Sequence, residues 1–238
     1  MKYFVISSPR CGGHYCGEAI ALRTQVLPLG ECLNSMYKDD VYTFDNNQVQ
    51  VNWPEKEYFN KINSQGKNNS SITEVTNRLD NLLEVDNWQG QAHLGHLEHL
   101  ENNIVEKIVN NTNAILLYRE NYIESIISWI IAFELDLWVP RGSQKYKAVY
   151  YNKEKHLPSV KQLIQEYDNL QKLANKYKWH DVFKYEDFTG DHNIDFVNYK
   201  LQQQTTTWSL PVKNNPESNK KKILKNVDEL LKDLKWNG

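Results

Sequence analysis

Apolar residues fall in short dense runs, separated by helix-length stretches of mixed character. Tyr3-Phe4-Val5-Ile6 is almost wholly apolar, the pattern of a strand buried on both faces. The run stops at Ser7-Ser8-Pro9-Arg10, passes Gly12-Gly13 and enters a segment that predicts a helix to about Leu22. Residues 24–34 predict a short strand and loop. Gln89 to His96 predicts a second core strand, with a helix from about Leu97 to Asn110. Ala114 to Tyr118 is the clearest strand after the first. Asn121, with Glu124 three residues later, has the form of a capping box that opens an apolar helix running to about Leu137. Residues 159–177 carry apolar positions at helical spacing, and Asp181 to Tyr185 predicts another strand. Ser218 to Leu234 predicts an amphipathic helix.

Strands alternating with helices predict an α/β fold, a mainly parallel sheet flanked by helices with a P-loop-like turn after the first strand. The chain of 238 residues suits a single domain. Residues 35–88 are rich in Asn, Lys, Asp and Tyr with weak periodicity, and predict an irregular insertion or lobe.

Composition then narrows the partners. A net charge of -2 argues against a large nucleic-acid footprint, which would bring a basic excess. The longest apolar run, around Ile126 to Phe133, is too short to span a bilayer, and residues 1–8 carry no cleavage-site pattern. Cys11, Cys16 and Cys32 are an odd, clustered set, which reads as reduced thiols rather than a disulfide framework. These features predict a soluble cytoplasmic protein with no nucleic-acid or membrane partner.

The chemistry gathers in two segments. A strand, a glycine-bearing turn and a helix start make an anion site, because glycines let backbone N–H groups approach oxygens and the helix dipole adds positive charge. Arg10 adds a planar, permanently charged donor. The stretch lacks the GxxxxGK[ST] pattern of nucleoside triphosphatases, so no Lys-Ser/Thr follows to hold magnesium. In the second segment Arg119 ends a strand and Ser128 follows nine residues later. On one continuous helix that spacing puts them on opposite faces, whereas a helix starting at Asn121 leaves Arg119 in the turn, able to swing toward the helix surface. Arginine plus hydroxyl is a clamp for phosphate. Ser125 shares a helical face with Ser128 and is a second candidate.

Together SSPRCGG and YRENYIESIISWIIA resemble the sulfotransferases that use 3′-phosphoadenosine 5′-phosphosulfate (PAPS), and most closely their bacterial trehalose-sulfotransferase-like branch. The first segment is similar to the family's phosphosulfate loop, the second to its 3′-phosphate segment. Tyr185-Glu186-Asp187-Phe188 resembles a motif whose tyrosine lies near the adenine, and PVKNNPESNKKKILKNVDEL, from Pro211, resembles the segment that closes over the nucleotide. The resemblance implies transfer of a sulfuryl group from PAPS to a hydroxyl of a carbohydrate or small-metabolite acceptor, with no metal. It implies that Arg10, Cys11, Gly12, Gly13 and His14 hold the 5′-phosphosulfate and that Arg119, Ser125 and Ser128 hold the 3′-phosphate. Tyr185, Lys213 and Asn214 would complete the nucleotide site. Cys11, Gly13 and His14 stand where the family carries hydroxyl side chains, which keeps backbone donors but removes side-chain ones. A catalytically impaired nucleotide-binding module is therefore an alternative, and a nucleotide-dependent kinase another.

The acceptor hydroxyl needs a base. Glu31 lies where the resembling branch carries its catalytic glutamate and is the first candidate. His93 and His96 are its rivals by residue type. With His99 their spacing invites a zinc reading, but Gly95 and the expected strand-to-helix change spoil a ligand face.

Overall fold

The computed structural model describes residues 1–33, 42–44, 47–49, 72–84, 86–97, 103–136, 147–188 and 223–236. Strand β1 (Lys2–Ser7) leads into helix α1 (Gly13–Thr24) and the short β2 (Leu27–Pro28). A hairpin of β3 (Tyr42–Phe44) and β4 (Asn47–Val49) is antiparallel and separate from the main sheet. Helix α2 (Ile72–Leu83), strand β5 (Trp88–His93), a one-turn α3 (Leu94–Leu97) and α4 (Ile104–Asn111) follow. Then come β6 (Asn113–Tyr118), α5 (Ile123–Leu135), α6 (Lys153–Ala174), β7 (Asp181–Lys184), a 3₁₀ turn (Tyr185–Phe188) and α7 (Val227–Asp233).

The main sheet has the order β2-β5-β1-β6-β7, and every pair in it is parallel. Alternation along β1 explains the layers. Phe4 and Ile6 join Ala114, Leu116, Trp88 and the apolar faces of α2, α4 and α6 on one side. Tyr3 and Val5 join Ile115, Leu117, Phe183 and the Cys16-Ala19-Ile20 face of α1 on the other. A third cluster packs α5 against α6 and α7 through Ile126, Ile127, Ile130, Val160, Leu163, Leu224 and Leu230. Among the described residues no helix is long and apolar enough to cross a membrane.

The order of strands fixes where ligands can sit. After β1 the chain crosses toward β2, and after β6 it crosses the opposite way toward β7. The connections therefore part above the carboxyl ends of β1 and β6, the crevice where open α/β sheets bind ligands.

Several boundaries differ from the sequence pattern, each for a local reason. Helix α6 begins at Lys153, ahead of Pro158, because the Asn152 side chain accepts from Lys155 N at 2.9 Å and Asn152 N donates to His156 Nδ1 at 2.9 Å. Those two bonds close the helix start and outweigh the single intrahelical bond a proline removes. The capping box at Asn121 does not form: α5 begins at Ile123, and no side chain caps Tyr122. The amides of Glu120 and Asn121 bond instead to the Glu186 carboxylate at 3.2 and 3.1 Å. The strand at 89–96 ends at His93 and turns into α3; of the tail helix expected over 218–234, residues 218–222 lie outside the described residues, and the helix there runs over Val227–Asp233.

Candidate functional site

The turn after β1 is held from outside by its carbonyls. Cys11 N donates to Ser8 O at 3.3 Å, the Tyr167 hydroxyl to Pro9 O at 3.1 Å and the Ser125 hydroxyl to Arg10 O at 3.2 Å. In a trans peptide the N–H points away from its C=O, so fixing the Pro9 carbonyl toward α6 sends the Arg10 amide the other way. Arg10 and Gly12 are both left-handed, at φ 64° and 81°. That alternation curls the chain into a concave nest, a backbone shape that suits an anion. No side chain caps α1, so helix geometry directs its first amides, beginning with Gly13, into the same turn. The Ser8 hydroxyl is fully buried beneath the turn and has no hydrogen-bond partner among the described residues.

Gly12 is also required by space. A Cβ there would lie 2.9 Å from Cε2 of Tyr185. Cys11 is fully buried, and burial pushes its thiol up to about 12 against the pull of the nearby Arg119 charge. It is a neutral thiol, packed with the α5–α6 cluster.

The two arginines meet on one face of α5. Arg10 Nε donates to Ser128 Oγ at 3.0 Å, and Arg119 Nη1 donates to Ser125 Oγ at 3.2 Å. Of the two serines expected to serve with Arg119, it is Ser125 that Arg119 reaches, while Ser128 accepts from Arg10. Arg119 lies only four residues ahead of the first helical position and reaches the first turn, while Arg10 comes across from β1 to the second. Ser125 joins both, accepting from Arg119 and donating to the Arg10 carbonyl.

Arg119 is 3% exposed, and a charge so buried needs partners. Its guanidinium lies 4.2 Å from the Tyr185 ring centroid, and its Nε is 3.7 Å from Glu186 Oε1. Lys184 Nζ donates to Glu120 Oε1 at 2.6 Å on the same turn. Tyr185 therefore touches both halves of the site, Arg119 on the β6 side and Gly12 on the β1 side. Glu186 is a residue whose part in the site sequence reasoning missed, because its partners lie about 65 positions away.

A second group forms at the tip of β5. Leu29 N donates to Gln89 O at 2.7 Å and Gln91 N to Gly30 O at 2.8 Å, so the segment after β2 runs along β5 and delivers Glu31 beside His93. Glu31 is 5% exposed, and its Oε1 lies 2.9 Å from His93 Nε2 and 3.0 Å from His14 Nε2. His96 meets the His93 ring edge-on at 5.3 Å between centroids. The buried Glu166 of α6 lies against Gly95, where a Cβ would clash with its carboxylate. Among the described residues no group of three His, Cys, Asp or Glu side chains is laid out to hold a metal. His14, in the first turn of α1, links this group to the glycine turn. Lys213 and Asn214 lie outside the described residues.

No protein-family model matches the chain, and no curated protein matches it. Among solved structures it is similar to the shikimate kinase of Bacteroides thetaiotaomicron, with 13% identity and a TM-score of 0.46 over 85% of this chain and 96% of that one. A likeness of that size says nothing about activity.

Proposed function

We propose that the chain binds a 3′,5′-bisphosphorylated adenosine nucleotide and transfers the sulfuryl group of PAPS to a hydroxyl of a carbohydrate or small-metabolite acceptor. The observation that supports it best is the tie between Arg10 and Arg119 through Ser125 at the tips of adjacent strands. One nucleotide with phosphates at both ends suits two cationic sites so joined. A triphosphate-magnesium site would call for the Lys-Ser/Thr that the turn lacks.

In this reading the nest at residues 10–14 and the Arg10 guanidinium hold the 5′-phosphosulfate, with the Ser8 hydroxyl as a further donor. Arg119 and Ser125 hold the 3′-phosphate. Transfer forms a bond from the acceptor oxygen to sulfur and breaks the bond from sulfur to the 5′-phosphate oxygen, whose electron pair leaves with the nucleotide. Charge gathers on that leaving oxygen, so fixed donors at the turn act where it develops. Glu31 takes the acceptor proton, while His14 and His93 hold its carboxylate in place. The residues that meet the acceptor would come from the β5 tip.

The test is direct: binding of adenosine 3′,5′-bisphosphate, AMP and magnesium ATP by calorimetry, with turnover of labelled PAPS over a panel of sugars. The reading expects the bisphosphate to bind at least about 10-fold tighter than AMP, without magnesium, and sulfated product to form. Preference for magnesium ATP with phosphoryl transfer would make it a kinase. Bisphosphate binding without turnover on any acceptor would leave a binding module.

A further inference from the structure

Tyr185 and Glu186 contact Arg119 and its turn from the end of the neighbouring strand β7, and nothing in the reaction as proposed uses Glu186. We infer that these two residues are positioning residues that set selectivity for the 3′-phosphate, by fixing the Arg119 guanidinium at a set distance from the glycine turn. The inference rests on the proposed function, since it takes Arg119 as the phosphate-binding group.

Three features of the geometry carry it. The Tyr185 ring supports the guanidinium at 4.2 Å, a cation–π contact made through the face of the guanidinium rather than through its N–H edge. The same ring fills the space over Gly12, where even a methyl group would come within 2.9 Å. One rigid side chain therefore spans from the β1 turn to the β6 arginine. Glu186 closes the bracket: its carboxylate accepts from Glu120 N and Asn121 N and faces Arg119 Nε at 3.7 Å. The backbone that follows Arg119 is thereby fastened to the 3₁₀ turn carrying Tyr185.

An arginine held on two sides delivers its donors at one distance from the nest. Two phosphates on a ribose are a fixed distance apart, so a rigid spacer favours the nucleotide that has both. The role differs from a base platform. A ring that only stacks on adenine would serve AMP and the bisphosphate alike.

The experiment compares dissociation constants for adenosine 3′,5′-bisphosphate and AMP in wild type, Tyr185→Phe, Tyr185→Leu and Glu186→Gln, with circular dichroism and thermal melts on each. The inference expects Tyr185→Phe to keep the wild-type ratio, because the ring is retained. Tyr185→Leu should lower the ratio about 10-fold, the size of one displaced charge-assisted bond, with AMP affinity little changed. Glu186 is a partly exposed side chain, so Glu186→Gln keeps the fold testable should Tyr185→Leu not fold, and it should lower the ratio by about 3-fold or more. Equal losses for both nucleotides in Tyr185→Leu would make the ring a base platform and overturn the inference. An unchanged ratio in Glu186→Gln would overturn it too. A wild type without preference for the bisphosphate would instead overturn the proposed function itself.

Discussion

Arg10 Nε donates to Ser128 Oγ at 3.0 Å, joining the turn after β1 to the second turn of the helix after β6. One α-helix thus receives both arginines, three residues apart along one face. The two cationic groups are parts of one site, because moving α5 would move both.

That arrangement separates the two arginines by what each should cost. On the proposed function, Arg119→Ala removes charge-assisted donors from the 3′-phosphate alone. Binding of adenosine 3′,5′-bisphosphate should weaken by about 10- to 100-fold, the size of one or two such bonds, while AMP affinity stays within about 3-fold. Arg10→Ala should weaken both nucleotides together. Calorimetric titration of the four pairs decides it. Parallel losses in Arg119→Ala would separate that residue from the 3′-phosphate.

Gly12→Ala tests the turn through stability. Gly12 sits at φ 81°, and an alanine there meets the Tyr185 ring as well. The left-handed conformation alone costs about 1–2 kcal/mol for a residue with a Cβ. In a chain of this size each kcal/mol lowers Tm by roughly 2–4 °C. The expected outcome is a melt lowered by roughly 4 °C or more, with nucleotide binding impaired in the same variant. Scanning calorimetry with and without nucleotide measures both.

How much of this could be read from the chain follows from the range of each interaction. Tyr3-Phe4-Val5-Ile6 announced a strand buried on both faces, since burial by two helix layers leaves no polar positions. The α/β alternation, the turn after β1 and Arg119 at a strand end were legible for the same local reason. The start of α5 was not, because the amides just before it bond to Glu186 at another strand's end instead of to a local capping side chain. Which serine each arginine reaches was equally hidden, since it depends on β1 and β6 being neighbours. Glu31, His14 and His93 were each visible as candidates by type or resemblance. Their convergence on one carboxylate oxygen arises only when the segment after β2 lies along β5.

Glu31→Gln examines the base. The amide keeps the size of the side chain and its place between His14 and His93 but cannot take a proton. Turnover should fall by about 10²-fold or more, as for loss of a general base, and binding of adenosine 3′,5′-bisphosphate should be unchanged. Turnover within about 3-fold of wild type would move the role to one of the histidines, with His93→Asn as the next variant.

The last prediction concerns alkaline stability. Burial pushes the Cys11 and Cys16 thiols up from an ordinary 9.0 to about 12. Between those values the unfolded chain releases both protons while the folded chain retains them. Their contribution to stability is therefore complete below pH 9 and is lost as pH rises toward 12. Between about pH 8 and pH 10 the loss is on the order of 1 kcal/mol for each thiol. Urea midpoints at those two pH values should show the fall, and Cys16→Ala should make it smaller by one thiol's share, whatever the variant does to stability at neutral pH. The same protection predicts that iodoacetamide at neutral pH labels Cys32, the partly exposed cysteine, well ahead of Cys11 and Cys16 in the folded protein. Peptide mass spectrometry reads the order of labelling, and early modification of Cys11 would contradict a turn packed as tightly as its buried thiol requires.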